Sequence, residues 1–374
     1  MVSKLVDYIA LFSHRNSLAV LYLVLPFVIF CVGFLRWSIG LPMAIFSLYC
    51  TCRVVRSLPK EKDELSCWQN VALAVVAFLW CVHSGIGGLW VQHADFFVKN
   101  AVLRDLMNRP WPMVYDLSMQ SEAVQQLIGN DHVVFVYYLF TYLPAALCGW
   151  LFGSELVARI ALLLWSAFGL LLVLNFILHR ARGTSAKWFI FILVAVFCFS
   201  GLEVLGAPLL DVCIGNDVIA GQCARIQSLS VAKEMWCWPY FSMYGSLYSD
   251  MEIRFNQTIP IWVAMTLILP AKEKSLIGFF FAFLLLYSPW ASLGVGAMIF
   301  YVVGRELLMS GWRGIKSYLS VESIVFPLLL AAIVGSYYVS NQNSASFSGW
   351  FWKYMPVSEF FVRYVIFILV EIGC

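Results

Sequence analysis

The chain has 374 residues, of which 62% are hydrophobic and 12% charged, with a mean hydropathy of +0.83; a soluble domain is roughly 45–50% apolar and about 25% charged. That composition excludes a water-soluble fold, because too few polar side chains are present to cover so much apolar surface. A formal net charge of +3 gives no support to nucleic acid as a partner, since Lys and Arg fall in short clusters between apolar runs and not along one face.

The expected class is an all-α, polytopic integral membrane protein of about ten transmembrane helices, each near the roughly 20 residues needed to cross the hydrocarbon core, or shorter where tilt allows. In chain order the apolar runs are Ser17–Leu35, Ile39–Cys52, Gln69–Trp90, Val157–Leu178, Lys187–Leu205, Thr258–Leu269, Leu276–Tyr287, Ala291–Val303, Glu322–Val339 and Phe360–Glu371. Asp7 interrupts the first apolar stretch and no small-residue cleavage site follows it, so a cleavable signal peptide is not expected. Val133–Phe152 is also apolar, but a crossing there would place Arg180, Arg182 and Lys187 outside; it is expected to lie on the outer surface as an interfacial helix broken near Pro144. With that choice the basic clusters around Arg53, Arg180, Lys272 and Arg305 all face the cytoplasm. The organisation is then 1–66, two N-terminal helices and a cytoplasmic loop; 67–205, a module containing the first outer loop at 91–156; 206–257, the second outer loop; and 258–374, the C-terminal helices.

Eleven cysteines are scattered without two-plus-two metal spacing, as expected of small buried apolar side chains. Cys213, Cys223 and Cys237 fall in the second outer loop, where an oxidising compartment permits a disulfide, with Cys213 and Cys223 the expected pair.

Loops as long as these two are functional or disordered as a rule, and their aromatic content, Trp111, Tyr115, Tyr137, Tyr138, Trp238 and Tyr244 among others, argues for order. In the first, Asp95 to Leu106 reads as a short helix capped by Asp95 and halted at Arg109-Pro110. Asp95 and Lys99 are neighbours at i and i+4. They form either a cap with a surface ion pair or a functional pair, in which a carboxylate at the membrane rim acts as general base and a cation holds a lipid phosphate.

In the second loop, Glu203 at the edge of its span is either a functional carboxylate, with Arg225 or Arg254 as partner, or one placed at headgroup level. The ring-rich stretch from Trp236 to Tyr248, including Trp238 and Tyr244, fits sugar stacking and equally an interfacial aromatic belt. Asn256-Gln257-Thr258 matches an N-glycosylation acceptor, though its closeness to a span argues against that use.

An outer-loop Asp soon after a span, an amphipathic helix ending in Trp111-Pro112, the run from Phe152 to Leu164 and a span closed by His179-Arg180-Ala181-Arg182-Gly183 together resemble the N-terminal module of the GT-C superfamily of membrane glycosyltransferases. The resemblance covers Leu89 to Phe197. The series Gln92, Asp95, Lys99, Asn100, Asp105, Leu106, Trp111, Pro112, Tyr115, followed by Asn256-Gln257 and Leu286-Tyr287-Ser288-Pro289, is similar to a group of bacterial members and extends a weaker match to Gly294. The chain departs from many members by two spans ahead of the catalytic loop and by lacking a large soluble domain after the last one.

What the resemblance implies is transfer of a sugar, with inversion, from a polyprenyl-phosphate carrier to an acceptor on the extracytoplasmic face of a bacterial cytoplasmic (inner) membrane. Asp95 matches the catalytic base. His93, Lys99, Arg104 and Arg254 are candidates for the donor phosphate. Asn100, Asp105, Trp111, Tyr115, Glu203, Trp238, Tyr244, Asn256 and Gln257 are candidates for the acceptor or the sugar. The resemblance extends to bacterial enzymes that place arabinofuranose on pilin subunits, which implies a protein such as pilin, or else a glycan, as acceptor. The partners expected are the bilayer, the lipid-linked sugar and that acceptor, with no nucleic acid. No motif requires a cofactor or a metal, and a divalent ion is neither required nor excluded. No P-loop, dinucleotide fingerprint, HExxH or nucleophile elbow is present. The alternatives are a transporter or lipid flippase, which would carry charges near the centre of its spans, and a non-catalytic membrane subunit.

Overall fold

The protein is described by a computed structural model, which defines residues 14–59, 65–118, 132–180, 185–197, 209, 247–271, 273–340 and 356–371. It divides into two compact units, one of Met1–Gly183 with Phe255–Ser344 and the other of Thr184–Arg254 with Ala345–Cys374. The described residues are predominantly helical, as the composition predicts.

The first unit opens with α1 (Arg15–Phe34) and α2 (Trp37–Ser57), packed against each other, then α3 (Cys67–His83). Ser66 and Gln69 form a capping box that satisfies free N–H groups at the start of α3. A 3-10 turn (Ile86–Gly88) leads to α4 (Phe96–Asn108), a two-stranded antiparallel ribbon of β1 (Val114–Asp116) and β2 (His132–Val134), a 3-10 turn (Phe140–Tyr142), α5 (Leu143–Phe152) and α6 (Glu155–Arg180). The ribbon pairs Tyr115 with Val133 and Asp116 with His132. Helix α6 packs on both α3 and α5. Its Gly169 lies where a Cβ would come within 2.6 Å of the Tyr22 ring, and Tyr22 stacks on Trp165 at 4.5 Å between centroids.

After Phe255 the unit contains most of α8 (Leu247–Ile268), then α9 (Ile277–Tyr287), α10 (Pro289–Lys316), a π-helical turn (Val321–Val325) and α11 (Phe326–Val339). Phe279, Phe283, Phe326 and Phe27 form one aromatic cluster, and Phe30, Phe34, Phe140 and Tyr337 a second. The Leu286-Tyr287-Ser288-Pro289 segment is a joint between helices. Ser288 caps α10 by accepting from the Ala291 N–H, and Pro289 occupies the first turn, where its missing N–H needs no partner. In the second unit, taken by itself, lie α7 (Ala186–Phe197) and α12 (Val357–Glu371).

Among the described residues five helices are long and apolar enough to cross a membrane: Arg15–Phe34, Trp37–Ser57, Glu155–His179, Pro289–Lys316 and Val321–Val339. Only 6% of the apolar window of Pro289–Lys316 is buried, and Phe300 and Leu308 are 80% and 89% exposed. So large an apolar face is stable against lipid and costly against water. The shorter apolar helices include Cys67–His83, Phe140–Phe152, Ala186–Val196 and Lys274–Tyr287.

Several sequence expectations are corrected. Val133–Phe152 is not one helix broken at Pro144: residues 132–134 are a strand, and Pro144 helps start α5. The run Gln69–Trp90 stays helical only to His83, because Gly85, Gly87 and Gly88 adopt positive φ. Ala291–Val303 continues as helix past Arg305, and Arg313 and Lys316 lie in a further helical segment beyond a break at Gly311 (φ 58°), so these basic residues belong to helical segments and not a loop.

Candidate functional site

The turn after α3 sets the position of Asp95. Gly85, Gly87 and Gly88 have φ of 82°, 83° and 75°, which a side chain would strain. A Cβ on Gly87 would lie 3.1 Å from the Arg159 carbonyl and 3.0 Å from Leu163 Cβ, so the bare backbone lets this turn lie directly on α6. Gln92 then ties the turn to α4: its amide donates to the Gly85 carbonyl at 2.7 Å, and its side-chain oxygen accepts from Asn100 at 2.8 Å. His93, Ala94 and Asp95 form the short bridge held between those two bonds.

Asp95 occupies the N-cap position of α4, but its own φ and ψ (−63°, −21°) are helical and its side chain makes no capping bond. The expected cap is therefore corrected: a capping side chain needs the extended backbone that aims it at the next N–H groups. The carboxylate is left 49% exposed, with Oδ2 3.8 Å from His93 Nδ1. The Asp95 N–H donates to that same Nδ1 at 3.3 Å. A nitrogen that accepts this bond carries no proton, so the neutral ring holds its hydrogen on Nε2, and the 3.8 Å contact becomes an ion pair only when the imidazole is protonated. The shorter contact is the better description of the neutral ring. The negative field of Asp95 also reaches Tyr137, whose hydroxyl is pushed above its ordinary pKa first by burial, then by Asp95 and then by Tyr138. Tyr137 is held in turn by the Tyr337 hydroxyl, which accepts from its backbone N–H at 3.1 Å.

Lys99 does not pair with Asp95 as the spacing suggests. It is 3% exposed, on the buried face with Phe96, Leu103 and Leu106, and its ammonium sits 4.3 Å from the Phe96 ring centroid and 5.3 Å from that of Phe255. The rings of Phe96 and Phe255 give the ammonium cation–π contacts that partly offset the cost of taking a charge out of water.

The far end of α4 gathers a different group. Asp105 accepts a short hydrogen bond from the Tyr115 hydroxyl and lies 3.7 Å from Arg109 and 3.9 Å from Arg104. Burial, and then the Asp105 bond, push the Tyr115 hydroxyl up to about 12. The Arg109 guanidinium covers the Tyr115 ring at 4.7 Å. Trp111 donates from Nε1 to the Leu106 carbonyl at 2.8 Å and fills a notch at Gly33 of α1, where a Cβ would meet its ring at 2.4 Å. At 1.5 Å per residue, Arg109 lies roughly 20 Å along the helix from Asp95 and Arg104 roughly 13 Å. The first-loop candidates thus form two groups: Gln92, His93, Asp95 and Asn100 at one end, with Arg104, Asp105, Trp111 and Tyr115 at the other.

Asn256 is 1% exposed, its carbonyl accepting from Thr141 and its side-chain amide donating to the Tyr138 carbonyl at 3.3 Å; this burial closes it to glycosylation. Gln257 beside it is half-buried. Arg254 pairs with Asp250 at 2.6 Å at a point where α8 leaves helical geometry. Glu203, Trp238, Tyr244 and Arg225, and the cysteines Cys213, Cys223 and Cys237, lie outside the described residues. Among the described residues no group of three or more His, Cys, Asp or Glu is placed to hold a metal.

Tyr137 and Arg109 are the residues that sequence reasoning undervalued. Nothing local marks Tyr137, because its relation to Asp95 arises only when the segment after β2 and the start of α4 come together in the fold. Arg109 reads locally as a helix stop. Two cavities formed by described residues do not include Asp95: one of about 550 Å³ between α1, α5 and the end of α4, and one of about 500 Å³ lined by Asn16, Pro59, His179, Thr266 and Glu273 among others. Comparison with known protein families, with characterised proteins and with solved structures finds no match.

Proposed function

We propose that this chain is a membrane glycosyltransferase of the GT-C kind, moving a sugar from a polyprenyl-phosphate donor to a protein or glycan acceptor on the extracytoplasmic face of a bacterial inner membrane. The observation that carries the reading is Asp95: a half-exposed carboxylate at the mouth of a helix, not spent on capping, held by the Gln92 clasp beside His93. An uncommitted carboxylate so fixed suits a general base.

In the proposed step Asp95 accepts the proton of an acceptor hydroxyl as that oxygen bonds to the anomeric carbon. The bond from that carbon to the phosphate oxygen breaks, and the lipid phosphate leaves with the electron pair. Attack opposite the leaving group inverts the anomeric centre. Tyr137 and His93, both beside Asp95, would orient the acceptor. Acceptors such as pilin and sugars such as arabinofuranose fit this scheme, as do glycan acceptors and other sugars. The test is transfer from a synthetic polyprenyl-phosphate sugar series by the purified protein; no transfer by wild type from any donor would overturn the reading.

A transporter or lipid flippase is the second reading. Its supporting observation is Arg363, 3% exposed midway along α12 and paired with Glu359 at 2.6 Å. Against it, the buried Glu322 pairs at 2.6 Å with an exposed Arg53, and both fall near the ends of their helices.

A further inference from the structure

The 550 Å³ cavity at the other end of α4 has no part in the chemistry proposed for Asp95. Its walls are Val28, Ile29 and Val32 of α1, Leu106 at the end of α4, and Leu147 and Trp150 of α5. Val32 is 48% and Trp150 64% exposed, so this wall opens sideways along a helix apolar enough to cross a membrane. The volume lies within the roughly 300–1,000 Å³ typical of ligand pockets. Its lining is apolar except at one end, where Arg109, 47% exposed, meets Pro110 and Trp111. Arg109 is the charged residue of the lining, and behind it Arg104 and Arg109 share the single carboxylate of Asp105, so the cluster next to the apolar slot carries an excess positive charge. A planar guanidinium suits a phosphate, and the slot suits a hydrocarbon chain.

We infer that this groove holds one acyl chain of an anionic glycerophospholipid, with the lipid phosphate on Arg109. The occupant is not the sugar donor, because a phosphate on Arg109 lies roughly 20 Å from Asp95 along α4, far outside the reach of a base that must touch the acceptor at the anomeric carbon. The inference therefore goes beyond the transferase reading and is independent of it. Three features locate the lipid: the Trp111 ring seated on Gly33 forms the floor near the head group, α5 and α1 form the sides, and the open edge faces the hydrocarbon.

The experiment uses the full-length protein in nanodiscs containing phosphatidylglycerol with a diazirine on its acyl chain. Photolysis should label α1 between Val28 and Val32 and α5 near Trp150, and excess phosphatidylglycerol should compete better than phosphatidylcholine. Arg109→Gln should weaken that competition about tenfold, and Ile29→Trp, which fills the slot, should remove the labelling. Asp95→Asn should leave it unchanged. Labelling spread evenly around α1, equal competition by phosphatidylcholine, or displacement by polyprenyl phosphate in preference to phosphatidylglycerol would each overturn the assignment. The labelling map of wild type decides the matter even if both groove variants fail to fold.

Discussion

Asp95 and Lys99 stand one helical turn apart on α4, yet Asp95 is half exposed beside His93 while Lys99 is buried against the rings of Phe96 and Phe255. The two residues belong to different environments. One is available to a ligand and the other is part of the packing that holds α4 in place, so their substitutions should separate.

Asp95→Asn keeps the shape of the side chain and removes its basicity. Transfer is expected to fall by about 10²–10⁴-fold, with the thermal midpoint in detergent unchanged, because the carboxylate makes no capping bond. A single-turnover assay checks this; near-normal transfer would remove Asp95 from the mechanism.

Lys99→Ala is expected to act on stability. Loss of the cation–π contacts and of the buried stem costs roughly 2–4 kcal/mol, read as a lower unfolding midpoint. The apparent KM for a lipid donor should stay within about twofold. A raised KM at unchanged stability would return Lys99 to the donor site that its position in the sequence suggests.

Gln92→Ala tests the clasp. With both of its bonds lost, the bridge carrying His93 and Asp95 is freed from Gly85 and from Asn100. Activity should drop about tenfold or more through misplacement of the base, while Asn100→Asp, which still approaches Gln92 but now only accepts, should also lower it. Unchanged rates in both variants would show that the bridge needs no such tie.

Gly33→Ala sets two effects against each other. A helical Gly-to-Ala change stabilises by up to about 1 kcal/mol, whereas overpacking costs typically 1–3 kcal/mol. The 2.4 Å approach to the Trp111 ring makes the second effect win. The variant should unfold earlier, and Trp111→Phe in the same chain should recover part of the loss in a double-mutant cycle.

Tyr115 gives a pH signature. Its hydroxyl titrates at about 12 in the folded protein, above the ordinary value of 10.0, because of burial and its bond to Asp105. A raised folded value means the stabilisation is fully present below pH 10 and is lost as pH climbs toward 12. Tyrosinate absorbance of wild type minus Tyr115→Phe should therefore show a group ionising near pH 12; one ionising near 10 would show that neither the burial of the hydroxyl nor its bond to Asp105 is maintained.

The amino-acid sequence was enough to establish the apolar helical class, the presence of a helix after Asp95 and the stops at Arg109-Pro110 and Ser288-Pro289. These follow from local chemistry, hydropathy over a helix length and proline's missing N–H. Helical spacing identified the face shared by Asp95 and Lys99 but not what each would meet. Only the tertiary structure could decide that Phe255, distant in the chain, covers Lys99, that Tyr137 comes within the field of Asp95, or that Trp111 settles on Gly33 and so leaves an apolar groove beside Arg109. Burial is set by which neighbour fills the space beside a side chain, and periodicity along one helix carries no record of that neighbour.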